Sequence, residues 1–515
     1  MKHLLKVFVI FITFGFSLSA QTVIVGESNW TNTSIGIPSV TNGGNATFDS
    51  NYTNLSTIQQ VNVSDIHIYG NNSVISGNST SRIFYTSGNF GGVSNITLKD
   101  GNRTSGGDAF GGAIYAGTFG GNIFNSTFSN NSASGNWAYG GAIYAGTFGG
   151  NIFNSTFSNN SASGNWAFGG AIYAGTFGGN IFNSTFSNNS ASGSNALGGA
   201  IYVDNTLSGT FQNSNFTNNS ASGNNAFGGA IYAYTSNFVV EATSGQTSLF
   251  VNNTAGGKPN SIYTYGGAIT IDTKDDGVVD IQDPIYARVD AGYALAISKN
   301  GTGIWKLGGD TVVERYSGSI SSNISINEGT LYLHGASASG GVGTITLNSY
   351  GLGNTSTFSL MSNATLIAGG DNNITVISND DGFTSFSNAT MHFYNNSTIS
   401  GGSGNTSLHV NSSNGNFIYG LVNLHVNNTS DNFTLFTSNS TDNLLSGLSG
   451  DGGIVKSGEG RVILDGENSY TNQTLINEGS LRVTNLNSIN ASSNVTINNQ
   501  ATLELFTGDN TTFTN

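Results

Sequence analysis

The stretch GGAIYAGTFGGNIFNSTFSNNSASGNWAY, residues 111–139, recurs almost letter for letter at 140–168 and 169–197. The first two copies differ only at their last position, Tyr139 against Phe168. A looser copy, one residue longer, fills 198–227, a fifth opens at Gly228 and a sixth at Gly266. Identity at a fixed period predicts a stack of equivalent units, each unable to bury its apolar face alone. Within a unit, residues 113–116 and 123–129 read as strands separated by Gly-Gly pairs and a Ser/Asn/Gly stretch. Period 2 places Phe124, Ser126 and Phe128 on one face of the second strand and Asn125, Thr127 and Ser129 on the other. The Gly and Asn density leaves no room for a helix of useful length.

Stacking each strand on its equivalent, about 4.7–4.9 Å away, sets Phe124 over Phe153 and Phe182. It also aligns Asn131, Asn160 and Asn189 as an amide ladder whose hydrogen bonds run along the stack. Paired glycines suit the tight turns between strands. With Ile114 and its equivalents facing inward, Tyr115, Tyr144, Tyr173, Tyr202 and Tyr232 form an outward ladder. The expected fold is all-β: a parallel β-helix with one coil per repeat.

Composition narrows the function classes. The chain has 515 residues, 73 of them Gly and only 3 Pro, and 8% are charged. The regular Ile, Val, Phe and Tyr positions argue for a core rather than disorder. Net charge is −14, and no basic run follows the first six residues, so nucleic-acid binding is not expected. The absence of cysteine excludes disulfides, thiolate zinc sites and a Cys nucleophile.

Lys2, His3 and Lys6, an apolar run over 7–16, and Ser17-Leu18-Ser19-Ala20 before Gln21 have the order of a cleaved secretory leader, residues 1–20. The run is short for a membrane span. Residues 21–110 read as an N-terminal cap and first, irregular coils, and 111–270 as the repeats. There the interval from Gly-Gly-Ala-Ile to Phe-x-x-Asn is 17, 17, 17, 18 and 22 residues. Residues 271–515 read as further coils. They carry two copies of a second unit, at 300–335 and 450–485, aligned on Gly303-Ile304-Trp305-Lys306 with Gly453-Ile454-Val455-Lys456 and ending in Asn327-Glu328-Gly329-Thr330-Leu331 and Asn477-Glu478-Gly479-Ser480-Leu481.

GGAIY at 111–115 and its copies, followed by FSNN at 128, 157 and 186, FTNN at 216 and FVNN at 250, resembles the paired GGA[ILV] and FxxN repeat of chlamydial-type polymorphic outer membrane proteins. Asp283-Pro284-Ile285 resembles a segment that often follows those repeats, and the two later units resemble the autotransporter-associated β-strand repeat. The resemblance covers roughly residues 60–485. It implies a right-handed, pectin-lyase-like β-helix: a passenger domain that is secreted, associated with the outer membrane and displayed at the cell surface. It further implies an adhesin or surface-coat role, with a receptor or glycan on a host or neighbouring cell as partner. Family members are usually rich in cysteine, which places this chain in another lineage. The family's translocator barrel has no counterpart after Ala501, so a longer chain, a separate translocator or release is expected.

Three candidate features stand out. Asp272, Asp276, Asp280 and Asp283 sit at positions 1, 5, 9 and 12 of an EF-hand-like spacing, with Gly277 at 6. Lys274 stands at a ligand position and no helices flank the span, so a solvated turn at Asp275-Asp276-Gly277 competes with a calcium site. No other metal and no cofactor is expected. Trp137 and Trp166 occupy equivalent loop positions that become Asn195 and Asn225, which marks them, with Tyr115, Tyr144 and Tyr173, as surface contact candidates. A polysaccharide lyase or hydrolase on the same fold is the enzymatic rival, and a spacer without a ligand is a third reading. An enzyme needs grouped acids and bases at one place. Asp108 and Asp204 are isolated, Asp380-Asp381 lacks a companion base motif, and near-identical coils do not make one unique constellation. No catalytic residue is therefore expected.

Overall fold

A computed structural model of the chain describes residues 65–289 without a break. It also describes 22–25, 43–52, 59–60, 294–315, 323–334 and shorter segments between 344 and 505. Residues 1–20, where a leader is expected, and Asp380-Asp381 lie outside the described residues.

The chain is an all-β, mostly parallel β-solenoid that matches a pectin-lyase-like architecture. Among the described residues every strand pairing is parallel except that of Thr254–Ala255 with Lys258–Pro259. Register follows the repeat: Ile114, Ile143, Ile172, Ile201, Ile231, Ile262 and Ile285 lie one over the next. Phe128, Phe157, Phe186, Phe216 and Phe250 do the same. Their rings are fully buried and stack at 4.6, 4.7, 4.9 and 4.7 Å. Each such ring contributes roughly 1.5–3 kcal/mol through burial. A one-residue slip would turn every inward side chain outward, so the ladders fix register as well as add stability.

Among the described residues a 44-stranded sheet winds around this main core, and two smaller sheets, of seven and five strands, stand beside it. In the first repeat the smaller sheets take Ser132–Ser134 and Trp137–Tyr139. Between them Ala138, Ala162, Ala167, Ala191, Ala196, Ala221 and Ala255 make a second, separate core. The coils between residues 102 and 259 therefore carry an arm, closed by a seam of alanines. The alternating pattern Ser-Ala-Ser and Trp-Ala-Tyr puts the methyl groups inside and the larger side chains outside.

The repeat's motifs now have physical causes. The first glycine of each Gly-Gly-Ala-Ile has positive φ, +54° at Gly111, +65° at Gly140 and +66° at Gly169. The second lies against neighbouring backbone: a Cβ on Gly141 would sit 2.1 Å from the Gly170 oxygen and 2.5 Å from the Ser161 nitrogen. Neither neighbour is a flexible side chain. Gly141→Ala is expected to destabilise the folded chain by about 3 kcal/mol. Urea unfolding followed by circular dichroism checks this, and an unchanged midpoint would refute the close approach.

One expectation fails. Residues 123–129 are not a single alternating strand, and Phe124 does not share a face with Phe128. Ile123 is buried and Phe124 is 40% exposed. Asn125 then adopts left-handed backbone, φ +47°, as do Asn154 (+47°) and Asn183 (+49°). That corner restarts the alternation, so Ser126 and Phe128 both point inward while Phe124 stays outside. Asparagine is among the few residues that enter this region readily. The Phe124, Phe153 and Phe182 ladder exists, with centroids 6.3 and 5.2 Å apart, on the outer surface.

The later units also realign. Lys456 lies beside Ile476, the residue before Asn477-Glu478-Gly479. The residue that lies beside Ile326, before Asn327-Glu328-Gly329, is Lys299, not Lys306. Lys299 and Lys456 are buried and donate to the Glu328 and Glu478 carbonyls at 3.0 and 3.1 Å. Lys306, aligned with Lys456 by sequence, is only half-buried.

Candidate functional site

Two continuous features run along the repeats: a buried polar column and an aromatic corner. The column starts where Gly101 N–H donates to Asn131 Oδ1 at 2.9 Å. The Asn131 Nδ2 and backbone N–H both donate to Asn160 Oδ1, at 2.9 and 3.1 Å. Asn160 treats Asn189 alike, Asn189 donates to Asn219 and Asn219 to Asn253. Each Nδ2 also donates to a carbonyl of the preceding coil: Leu98, Phe128, Phe157, Phe186 and Phe216. All five side chains are fully buried. Both amide hydrogens and the oxygen are used, which is the condition for placing an amide in a core.

The column ends on Asp283. Its Oδ2 accepts from Asn253 N–H at 2.7 Å and from the Ser261 hydroxyl at 3.5 Å, and the residue is fully buried. Five amides donate in one direction, so the last acceptor needs no hydrogen to pass on, and a carboxylate supplies that. Asp283→Ala is expected to cost about 2–3 kcal/mol, the range for losing a hydrogen bond to a charged group. Asp283→Asn, which keeps the acceptor, should lose less. Thermal unfolding of the two variants beside the parent measures the difference.

The other acids of the EF-hand-like span go elsewhere. Asp272 pairs with Lys274. Asp276 accepts from the Ser244 hydroxyl and Gly245 N–H, both at 2.7 Å, and these bonds hold its carboxyl below its ordinary range. Asp280 lies on the strand Val278–Ile281 and accepts from Gln282 at 3.2 Å. The span is two strands and a turn, and the four acids make four separate sets of contacts. Among the described residues no three His, Cys, Asp or Glu side chains group as they would around a metal ion.

The aromatic corner lies where the arm meets the wall of the solenoid. On the wall, Tyr85, Tyr115, Tyr144, Tyr173, Tyr202, Tyr232 and Tyr263 stack in register at 4.8–5.4 Å. On the arm, Phe110 stacks on Tyr139 and Phe168 lies tilted against Tyr139. Phe110 and Tyr139 meet the wall edge-on, as Tyr139 does Tyr173 at 5.0 Å and 82°, whereas Phe168 meets Tyr202 tilted, at 4.8 Å and 40°. Trp137 and Trp166 stack at 4.9 Å and 6°. They lie on strands, Trp137–Tyr139 and Trp166–Phe168, not in loops, and both are half-buried. Their outward position on the arm explains why Asn195 and Asn225 can follow in the same column.

The tyrosine column stands in register as expected, but Tyr202 and Tyr232 are buried rather than outward because the aromatic cluster of the arm covers them. The sequence reading missed the second wall of the corner, Phe110, Tyr139 and Phe168. The signal was present in Trp-Ala-Tyr, where a small residue between two aromatics marks a strand with one thin face. At one end, Arg82 lies 5.4 Å from the ring centroids of both Tyr85 and Tyr115. Its Nε and Nη2 donate to the Gly111 and Phe110 carbonyls at 2.9 and 2.5 Å. Further along, the Tyr202 hydroxyl donates to Asp204 at 2.9 Å. Burial pushes the Tyr139 phenol up to about 12, with smaller contributions from Asp108, Tyr144 and Asp204. Tyr144 and Tyr173 are raised as well, first by burial.

No protein-family model matches the chain, and no curated protein matches it. The relation to known proteins that stands is one of architecture: a β-solenoid consistent with the pectin-lyase-like fold.

Proposed function

We propose that this chain is a non-catalytic passenger displayed at the cell surface, an adhesin or surface-coat protein that uses its solenoid to present one repeated contact surface. The observation that carries the reading is the equivalence of successive coils. From each Gly-Gly-Ala-Ile start to Gly135, Gly164 and Gly193, the three copies in residues 111–197 set the same side chains at the same heights, in register to the residue. A repeated surface suits multivalent contact, where several weak engagements add in effect. Catalysis instead asks for different groups converging on one point. The leader-like residues 1–20 support export, and the GGAI and FxxN motifs support the comparison with outer-membrane passengers. On this reading the partner is a receptor or glycan of a host or neighbouring cell.

The test is protease shaving of intact cells that produce the full chain. Loss of the solenoid from intact cells, with cytoplasmic proteins spared, is the expected result. Protection until the cells are lysed would overturn the proposal. Release of products from pectin or another acidic glycan by the purified chain would overturn its non-catalytic part.

A further inference from the structure

We infer that the packed aromatic corner is a relay for one-electron oxidation, carrying an electron vacancy from the Trp137/Trp166 pair to Tyr202, whose proton passes to Asp204. This goes beyond the display reading and does not depend on it.

The first observation is unbroken ring contact. Trp166 stacks on Trp137 at 4.9 Å and 6°. Trp137 lies 6.3 Å from Tyr139, Tyr139 meets Tyr173 at 5.0 Å, and Tyr173 stacks on Tyr202 at 5.3 Å. Every ring on this path is an indole or a phenol, the protein rings that one-electron oxidants attack at neutral pH. Phe110 and Phe168, far harder to oxidise, lie beside the path and not on it. Dense packing is what such transfer needs, because electronic coupling falls steeply with the gap between rings.

The second observation is charge, which fixes where the vacancy enters and where it stops. A vacancy shared by two stacked indoles is more stable than one on a single ring, and both tryptophans are half-buried, within reach of a small oxidant. Asp108, exposed and in register with Trp137, adds a negative charge on that side. At the far end the Tyr202 hydroxyl donates to the Asp204 carboxylate at 2.9 Å. Oxidation of a phenol is favourable when its proton leaves with the electron, and here a base already holds that proton. Among the described residues the Tyr139 and Tyr173 hydroxyls bond no carboxylate, so a vacancy on either is a partly buried cation. In the opposite direction the stack leads to Tyr115 and Tyr85, where the Arg82 guanidinium lies 5.4 Å from both ring centroids and repels a vacancy. Charge therefore slopes the stack toward Tyr202.

The steps balance. A one-electron oxidant, such as the carbonate or azide radical, takes one electron from the tryptophan pair and is reduced to carbonate or azide. Tyr202 repays that electron through Tyr173 and Tyr139 and gives its hydroxyl proton to Asp204. A proton that the indole has lost to water returns with the electron, so an intact tryptophan and a neutral tyrosyl radical remain. Asp204 is exposed, which brings a small donor such as ascorbate to this end. The donor returns one electron and releases its own proton to water, and Asp204 hands the phenol its proton back.

The experiment is pulse radiolysis of the purified chain in azide solution, where the azide radical oxidises tryptophan first. Transient absorption follows the tryptophan and tyrosyl radicals, and electron paramagnetic resonance reads the trapped product. The expected result is decay of the tryptophan radical matched by growth of a tyrosyl radical, at a rate independent of protein concentration. Trp137→Phe/Trp166→Phe should remove this matched phase although Trp30 and Trp305 remain. Tyr139→Phe puts into its column the residue that Phe110 and Phe168 already place there, and Tyr202→Phe removes one hydroxyl, so both keep the ring packing and the thermal midpoint checks it. Tyr139→Phe and Asp204→Asn should each slow the matched phase roughly tenfold or more. Tyr202→Phe should abolish the trapped tyrosyl signal of the parent. A tyrosyl radical that grows only through collisions between chains, a matched phase that survives loss of both tryptophans, an unchanged rate in Tyr139→Phe, or the same trapped signal in Tyr202→Phe overturns the relay. An unchanged rate in Asp204→Asn overturns the assignment of the proton acceptor.

Discussion

Replacing Asn160 by Ala is expected to destabilise the solenoid by about 3–5 kcal/mol, while replacing its neighbour Asn159 by Gly should change stability by only about 0.5 kcal/mol. The two asparagines are adjacent, identical in chemistry and opposite in role. Asn160 is fully buried. Its Oδ1 is the acceptor for two donors of Asn131, and its Nδ2 donates to Asn189 and to the Phe128 carbonyl. Truncation strands two buried N–H groups of Asn131, each costing about 1–3 kcal/mol, and leaves space that water must fill or leave empty. Asn159 is exposed and holds left-handed backbone, φ +56°. Glycine enters that region without penalty, so only the conformational entropy of the unfolded chain changes. Urea unfolding of the two variants checks the contrast. Similar losses in both would mean that the buried ladder carries no special weight.

The same pair shows how far the sequence could be read. Phe-Ser-Asn-Asn contains a core ring, a corner and a ladder rung. The rung was legible because Asn131, Asn160 and Asn189 recur at a strict interval, and stacked copies let each amide oxygen accept from the amide before it. The Tyr column was legible for a related reason, alternation with an inward Ile. Phe124 was misplaced because alternation was carried through Asn125, whose left-handed backbone interrupts it. A run of seven residues with Asn in the middle looks like a strand by side-chain pattern and is two strands by backbone. The arm was missed because its core is alanine only. Alanine carries too little apolar surface to register as a buried position in a pattern read by hydrophobicity. Lys299 was missed because aligning on Gly303 and Gly453 matched letters, whereas the coils match on the glutamate turns that accept from buried lysines.

Those lysines and the tyrosines lead to an expected pH profile: stability should rise from pH 8, peak near pH 10, and fall above it. Lys299 and Lys456 are held down from 10.5 to about 8, mainly because burial strips water from the ammonium. Between pH 8 and 10.5 the unfolded chain binds more protons at these two sites than the folded one, so unfolding becomes harder as pH rises. The tyrosines act in the opposite sense. Tyr139, raised to about 12, and Tyr144, Tyr173, Tyr202 and Tyr232, also raised, all first by burial, keep their protons in the folded state. Their ordinary value is 10.0. Above it the unfolded chain releases protons that the folded one retains, and stability falls. The phenols' contribution is therefore whole below pH 10 and lost as pH rises through their folded values. Absorbance at 295 nm should show these buried tyrosines ionising only in one cooperative step, together with loss of the β-sheet circular dichroism signal. Lys299→Met should reduce the rise between pH 8 and 10.5 to the part that Lys456 contributes and leave the fall above it in place. A smooth titration of every tyrosine near pH 10 with the sheet signal intact would mean that the column is open to water. The stack would then be a surface ornament, not a wall of the solenoid.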